Sequence, residues 1–196
     1  MNQELPNFNP EVPTQEHNEP IKSEKEIAWE KKLEEINNIA DRLGKGIDEN
    51  IKKSVAAFMI HEFTTDSSCE GHISEGEEEQ HGLPYPWVQV YADEPEGWSE
   101  AEGDKKEAIE HEWRINNLEQ QRKMMGFLEE FYKKRETPFD ARLAFDRVGA
   151  FGGFRVQSFG ADITAVLTLE EQKEKLALYR KEMDEFTKFL RDKFFV

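Results

Sequence analysis

The segment ARLAFDRVGAFGGFRVQSF, residues 141–159, decides the fold class of this chain. Its two halves, 141–148 and 153–159, contain phenylalanine and valine residues that favour strands. Glycines lie in the short connection at 149–153, as in a β-hairpin. Strands joined without a helix pair in antiparallel fashion, so the segment predicts an antiparallel sheet rather than a parallel βαβ array.

A long helix is predicted directly after this hairpin. Thr168 and Glu171 have the spacing of a capping box, which marks a helix start. Apolar residues then recur at steps of three and four, which places them on one face of the helix. This stripe consists of Leu176, Tyr179, Met183, Phe186, Leu190 and Phe194. We expect it to cover one face of the sheet.

Two helices are predicted in the N-terminal half of the chain. The first carries an apolar face over residues 29–43 and ends at Gly44 and Gly46. That face consists of Trp29, Leu33, Ile36, Ala40 and Leu43. The second helix starts with Asp48 as its N-cap and ends near Glu62. Its buried stripe consists of Ile51, Val55, Phe58 and Met59.

The middle of the chain is predicted to add two strands and a helix. Residues 87–91 have the content of a strand, and 109–115 alternate between apolar and polar side chains as a half-exposed strand does. Asn117 then caps a helix whose apolar face consists of Leu118, Met125, Leu128, Phe131 and Tyr132. Acidic connections are expected at 74–82 and at about 93–106. The fold class is therefore α+β, with an antiparallel sheet of about four to five strands covered by helices.

Composition and charge limit the kinds of partner the protein can bind and indicate its cellular location. The 196 residues predict a disordered acidic tail at 1–22, which holds four prolines, and a single domain at 23–196. The formal net charge of -16 argues against nucleic acid as a partner. The chain has no apolar run of about 18 residues and no basic-then-apolar leader, so we expect no membrane span or signal peptide. One cysteine fits a reducing compartment, and we expect the protein to be cytoplasmic.

Residues that carry chemistry concentrate in the stretch FTTDSSCEGHI, residues 63–73, which we interpret as a loop. Its hydroxyls offer hydrogen bonds to a small ligand, and Gly71 permits close approach of the backbone. Trp87 adds a ring for stacking, and Arg155 adds a guanidinium that matches an anionic group. The predicted ligand-binding residues are Thr64, Thr65, Ser68, Cys69, Gly71, His72, Trp87 and Arg155.

The pair Cys69 and His72 also has the spacing of two zinc ligands. Two ligands do not complete a zinc site, and His61 and His81 are the nearest residues in sequence that could add to them. The alternative is that Cys69 is simply a small buried residue and His72 a polar loop residue.

Three further interpretations stay open. Cys69 would be a nucleophile if His72 lowered the pKa of its thiol, but the neighbouring Glu70 opposes this unless it points away. Arg142 and Arg155 would converge on an anion if their two strands are neighbours, although pairing with glutamates is the simpler role. His111 would be a core histidine on its predicted strand.

The pattern Gly46-Ile47-Asp48-Glu49, followed one helix later by residues 63–73, resembles the wybutosine-synthesis methyltransferase family of tRNA-modifying proteins. The likeness covers roughly 30 residues, and the matching positions are Asp48, Thr64, Thr65, Ser68, Cys69, Gly71 and Ile73. It implies S-adenosylmethionine-dependent methyl transfer to a modified guanosine, with the Ser-Cys turn in the active region. The family's second serine and its arginine are Glu70 and His72 here, and the charge of -16 disfavours a tRNA substrate.

The sequence thus predicts a small-molecule- or metal-binding α+β domain, with zinc or S-adenosylmethionine as the candidate cofactors. One alternative is a methyltransferase of the wybutosine-synthesis type. Another is a protein-interaction module that contacts a partner protein through residues 29–43.

Overall fold

Four α-helices and four strands, joined by short 3₁₀ turns, make up the described part of the chain. The structure is a computed structural model that describes residues 22–40, 44–73 and 83–196. The helices are α1 (Glu24–Asn37), α2 (Lys52–Ile60), α3 (Gly103–Tyr132) and α4 (Leu169–Phe195). The strands are β1 (Thr65–Cys69), β2 (Trp87–Val90), β3 (Leu143–Val148) and β4 (Gly153–Ser158). The α+β class predicted from the sequence is confirmed.

The strands form one antiparallel sheet in the order β1-β2-β4-β3. The predicted hairpin is present, with Leu143 opposite Ser158 and Val148 opposite Gly153. β2 pairs with β4 on one side and with β1 on the other, and Cys69 lies opposite Trp87 in that register. The cysteine therefore lies at the end of an edge strand.

The core fills the space between one face of the sheet and the helices. Val88, Val90, Phe154 and Val156 from the central strands are fully buried there. The capping box at Thr168 is formed as predicted and opens α4. The predicted stripe of α4 is buried from Leu176 to Leu190, and Phe194 is partly buried. Apolar periodicity thus predicted the long C-terminal helix correctly.

The N-terminal helices also pack into this core. Trp29 and Ile36 of α1 are buried, and α1 contacts both α2 and α4. α1 ends at Asn37 instead of at the predicted Gly44, and α2 is preceded by a 3₁₀ turn, Glu49–Ile51. Within the described part of the proposed partner surface, Trp29 and Ile36 lie inside the domain and Leu33 packs partly against the core. Residues 41–43 lie outside the described ones, and contact of this surface with a partner stays a prediction.

The predicted strand at 109–115 is wrong, because these residues belong to α3. Trp113, Asn117, Met124 and Leu128 are its buried positions, and their steps of four, seven and four match a helix. The alternation of apolar and polar residues at 109–115 resembles that of a half-exposed strand. In the helix, however, Ile115 is 40% exposed and His111 is exposed. Asn117 is consequently not a helix cap.

Inside α3, the side chain of Asn117 joins three parts of the fold. It accepts a hydrogen bond from Ala92 N at 2.8 Å and donates to the carbonyls of Trp113 and Phe151, each at 3.1 Å. The apolar face predicted for this helix is also partly wrong, since Leu118 and Met125 are exposed. Helix α3 packs instead through Trp113, Asn117, Met124 and Leu128.

Residues 63–73, interpreted as a loop from the sequence, contain strand β1. This strand takes the place of the one wrongly predicted at 109–115, so the sheet still has four strands. Asp66, Ser67 and Ser68 have low strand propensity, so sequence alone favours a loop there. Hydrogen bonding to β2 along an exposed sheet edge overrides that propensity. Register is irregular between Thr65 and Ser67, which is typical of a β-bulge.

Besides Leu43 of the first predicted helix, two longer predicted segments fall on residues that lie outside the described ones. These are the tail at 1–22, of which only Lys22 is described, and the acidic connection at 74–82. Among the described helices, none combines the length and apolar character needed to cross a membrane.

Candidate metal centre

Three potential metal ligands converge at the end of β1. Asp48, Cys69 and His72 each contribute one ligand atom, and the three atoms lie within 4.8 Å of one another. Two of these residues are the predicted pair, and Asp48 comes from the other side of α2. A thiolate, an imidazole and a carboxylate are all ligands that zinc accepts.

The turn after β1 brings Cys69 and His72 together. Gly71 has a φ of +85°, in the left-handed region that glycine tolerates. Its N–H donates to Cys69 Sγ at 3.3 Å, and the N–H of His72 donates to the carbonyl of Leu83 at 2.8 Å. The sulfur is therefore held by the backbone of the same turn that presents the imidazole.

Asp48 completes the cluster from the start of the 3₁₀ turn before α2. It occupies the predicted N-cap position, but its side chain caps no helix amide. Instead, Oδ2 accepts a hydrogen bond from Glu70 N at 3.2 Å and lies 3.0 Å from His72 Nε2. The carboxylate is thereby aimed at the loop, 24 residues further along the chain.

The spacing of the three ligands is close to what a zinc ion needs. Ligand-to-zinc distances of about 2.0–2.3 Å in a tetrahedron place ligand atoms roughly 3.5 Å apart. The Asp48–His72 contact is already shorter than this, and the widest separation, within 4.8 Å, closes with a small side-chain movement. The side chains of His72 and Asp48 are 37% and 34% exposed, whereas Cys69 is buried. An ion would therefore enter from the side of His72 and Asp48.

The environment of Cys69 opposes its use as a free nucleophile. Burial raises the pKa of the thiol, and the negative charges of Asp48 and Glu70 raise it further. The hydrogen bond from Gly71 N–H acts in the opposite direction and favours the thiolate. A bound cation would shift this balance, because it removes the thiol proton and neutralises the adjacent carboxylate.

The carboxylate of Glu70 is bonded to other parts of the fold. It accepts a hydrogen bond from Asn50 N at 2.9 Å and lies 3.5 Å from Arg180. Arg180 also donates to the carbonyl of Glu70 at 2.8 Å and to that of Gly71 at 2.7 Å. This arginine from α4 therefore fixes the backbone of the turn between the two predicted ligands.

The other predicted ligand-binding residues do not all join this cluster. Thr65 and Ser68 line a neighbouring cavity of about 390 Å³, which Asp48 also borders. The backbone N–H of Thr64 instead donates to Gln120 at 2.8 Å, which ties β1 to α3. Hydroxyl groups and the candidate ligand Asp48 thus share one cavity beside the centre.

Trp87 and Arg155 form a separate pair on the sheet. The Arg155 guanidinium lies 4.2 Å from the centre of the Trp87 ring, and its Nε donates to Gln89 at 3.0 Å. The buried Trp87 Nε1 has no hydrogen-bond partner among the described residues. Arg142 packs on Tyr132 at 4.6 Å, so each of the two arginines has its own aromatic partner.

The histidines considered as further ligands lie elsewhere or outside the described residues. His61 Nε2 is 2.8 Å from the carbonyl of Leu190, and its ring packs against Phe127. His81 lies in the segment that the structure does not describe. Sequence spacing indicated Cys69 and His72 as a pair but did not place Asp48 with them. In the sequence Asp48 is a predicted N-cap and a matching position of the family-like motif, and only the structure shows that its side chain caps no helix amide.

The chain matches no protein-family model, no curated protein and no solved structure. The chemistry of the centre therefore has to be inferred from its own residues.

Proposed function

We propose that the protein binds a divalent metal ion of the zinc class through Cys69, His72 and Asp48. The observation that supports the proposal is the convergence of these three ligand atoms within 4.8 Å from two segments separated by a helix. Sulfur and nitrogen ligands select zinc and its neighbours over magnesium or calcium, which prefer oxygen. The overall charge of -16 adds a general attraction for cations.

Three protein ligands leave a fourth tetrahedral position for water or a small molecule. That arrangement is typical of catalytic zinc sites rather than of structural ones, which are closed by four protein ligands. The adjoining cavity, bordered by Asp48, Thr65 and Ser68, offers space and hydroxyl groups beside the ion. A small-molecule ligand would therefore be recognised by the metal and by these hydroxyls together.

The experiment is a measurement of metal content on the purified protein, followed by cobalt substitution. We expect one metal ion per chain and, with Co²⁺, a thiolate-to-cobalt charge-transfer band in the near ultraviolet. Cys69→Ser should abolish the band, and His72→Ala or Asp48→Asn should lower the affinity strongly. His111→Ala is the matched control, because it removes an exposed histidine of α3 that lies outside the centre.

Two results would contradict the proposal: metal content unaffected by Cys69→Ser, or equal losses in His72→Ala and His111→Ala. His81→Ala, measured in the same way, tests whether a residue outside the described ranges is a fourth ligand. A thiolate ligand also requires a reduced cysteine, and we therefore propose a reducing, cytoplasmic location.

We propose S-adenosylmethionine-dependent methyl transfer as the second candidate. What supports it is the contact between the two parts of the motif that resembles the wybutosine-synthesis methyltransferases. Asp48 from the first part accepts a hydrogen bond from the backbone of Glu70 in the second. Calorimetric titration with S-adenosylmethionine distinguishes the candidates, because binding that persists in metal-free Cys69→Ser protein would favour the methyltransferase.

A further inference from the structure

We infer that the chain has a second, independent binding site for a small organic anion, between α3 and the β3–β4 hairpin. The site is a pocket of about 440 Å³ whose polar lining consists of two arginines and a glutamine. The lining residues are Arg114, Leu118, Gln121, Arg147, Ala150 and Gly152. No carboxylate is among these described residues, although the chain contains 42 acidic residues.

Helical spacing explains why three of these side chains share the pocket. Arg114, Leu118 and Gln121 follow one another at steps of four and three, which places them on one face of α3. Arg147 lies on β3 opposite Phe154, a residue of the main core. The pocket therefore forms where the core between α3 and the sheet ends.

The first arginine is held in position before any ligand binds. The Arg114 guanidinium lies 5.2 Å from the centre of the Phe151 ring and 3.5 Å from Glu110. Phe151 is itself stacked on Trp113, with ring centres 4.3 Å apart. The salt bridge to Glu110 is long and exposed, so it contributes little, and N–H donors of the guanidinium remain available to a ligand.

The second arginine has no ion pair with any residue that the structure describes, and it is exposed on the other side of the pocket. Two guanidinium groups facing one space repel each other, and an anion between them removes that repulsion. Arginine matches carboxylate and phosphate groups through paired hydrogen bonds.

The remaining lining selects the body of the ligand. Leu118 is 38% exposed and, with Ala150, gives the pocket an apolar wall. We therefore assign a ligand with one carboxylate or phosphate group attached to a short apolar body. By contrast, the larger cleft beside Arg180 is lined by Glu49, Glu70 and Asp184 as well as by cations, which disfavours an anion there.

The test is a titration of the full-length protein followed by ¹H–¹⁵N NMR of the backbone amides and the arginine Nε–H groups. The probes are inorganic phosphate, butyrate and, as a neutral control, butan-1-ol. We expect butyrate or phosphate to shift the signals of Arg114, Gln121, Arg147 and Gly152 with about millimolar affinity. Phosphate binding alone would assign a phosphate group, and tighter butyrate binding would assign a carboxylate on an apolar body.

Arg147→Gln should weaken binding by about tenfold or more, because it removes charge-assisted hydrogen bonds. Arg122→Gln is the matched control, since it removes the same charge from an exposed position of α3 outside the pocket. Equal weakening in both variants, binding of butan-1-ol as tight as that of butyrate, or no shift of these signals would each overturn the inference.

Discussion

Replacement of Gly71 by alanine tests the turn that brings Cys69 and His72 together in the candidate metal centre. A Cβ at this position would lie 2.5 Å from Leu176 Cδ1, 2.8 Å from the carbonyl carbon of Tyr85 and 3.1 Å from Pro86 N. The leucine methyl group can move, but the backbone of Tyr85 and Pro86 is fixed beside β2. The turn therefore has no space for a side chain.

The expected loss of stability combines two contributions. A non-glycine residue in the left-handed region costs about 1–2 kcal/mol, and overlap with fixed backbone adds about 1–3 kcal/mol. Gly97→Ala is the control, because Gly97 has a similar φ of +74° and nothing within 4 Å of its added Cβ. Any stabilisation through the unfolded chain is common to both variants and cancels in their comparison.

Urea unfolding followed by circular dichroism measures the difference. With a slope of about 2 kcal/mol per molar urea, Gly71→Ala should unfold at roughly 1–2.5 M lower urea than the unmodified chain. Gly97→Ala keeps only the backbone contribution and should shift by about half of that or less, roughly 0.5–1 M. Equal midpoints for the two alanine variants would refute the steric reasoning, and would mean that the turn can open without loss.

Three further predictions concern charged groups. Metal affinity should fall as the pH is lowered, because burial raises the pKa of the Cys69 thiol and protons then compete with the ion; calorimetry at several pH values should show this dependence reduced in Cys69→Ser. Glu182→Gln should destabilise the fold by roughly 2 kcal/mol in urea unfolding, since it removes the buried negative charge that pairs with Arg135 at 2.9 Å. The hydrogen bond from Lys175 lowers the pKa of Asp140, so its stabilisation is present above the ordinary carboxyl pKa and is lost in acid. Asp140→Asn should therefore be about 1 kcal/mol less stable at neutral pH, with the difference vanishing in acid.

The elements that the sequence predicted well are those with strong local signals. The hairpin at 141–159 and the capping box of α4 need only neighbouring residues to form, and both are present as predicted. The alternation at 109–115 was also local, but it was short and lay within a segment rich in helix-forming residues. Burial of Trp113 and Asn117 against the hairpin and the segment after β2 decided the outcome, and neither contact can be inferred from the alternation itself.

The candidate metal centre was predictable only in part, for a related reason. Cys69 and His72 lie in one turn, so their spacing alone indicates that they can share an ion. Asp48 is 21 residues before Cys69 in the numbered sequence, and only the packing of α2 against β1 brings its carboxylate to the turn. Arg180 is 110 residues from Glu70, and no local pattern connects the two.

A substitution of Arg180 can separate two possible effects on metal binding, that of the arginine's charge and that of its hydrogen bonds to the turn. Removing a positive charge near a cation site should tighten metal binding if Arg180 acts through its field alone. If Arg180 acts by fixing the carbonyls of Glu70 and Gly71, its removal should loosen the turn and weaken metal binding. We expect a loss of about tenfold or more, because groups that orient metal ligands typically contribute that much to metal affinity.

Arg180→Gln and Lys181→Gln make the comparison direct, because both remove one charge from adjacent positions of α4 and Lys181 is exposed. We expect weaker zinc binding in Arg180→Gln, measured by competition with a chelating dye, and nearly unchanged binding in Lys181→Gln. Tighter binding in Arg180→Gln would show that the charge dominates. In that case the candidate ligands Cys69, His72 and Asp48 would be held well enough by β1, the turn after it and the 3₁₀ turn before α2, without support from the C-terminal helix.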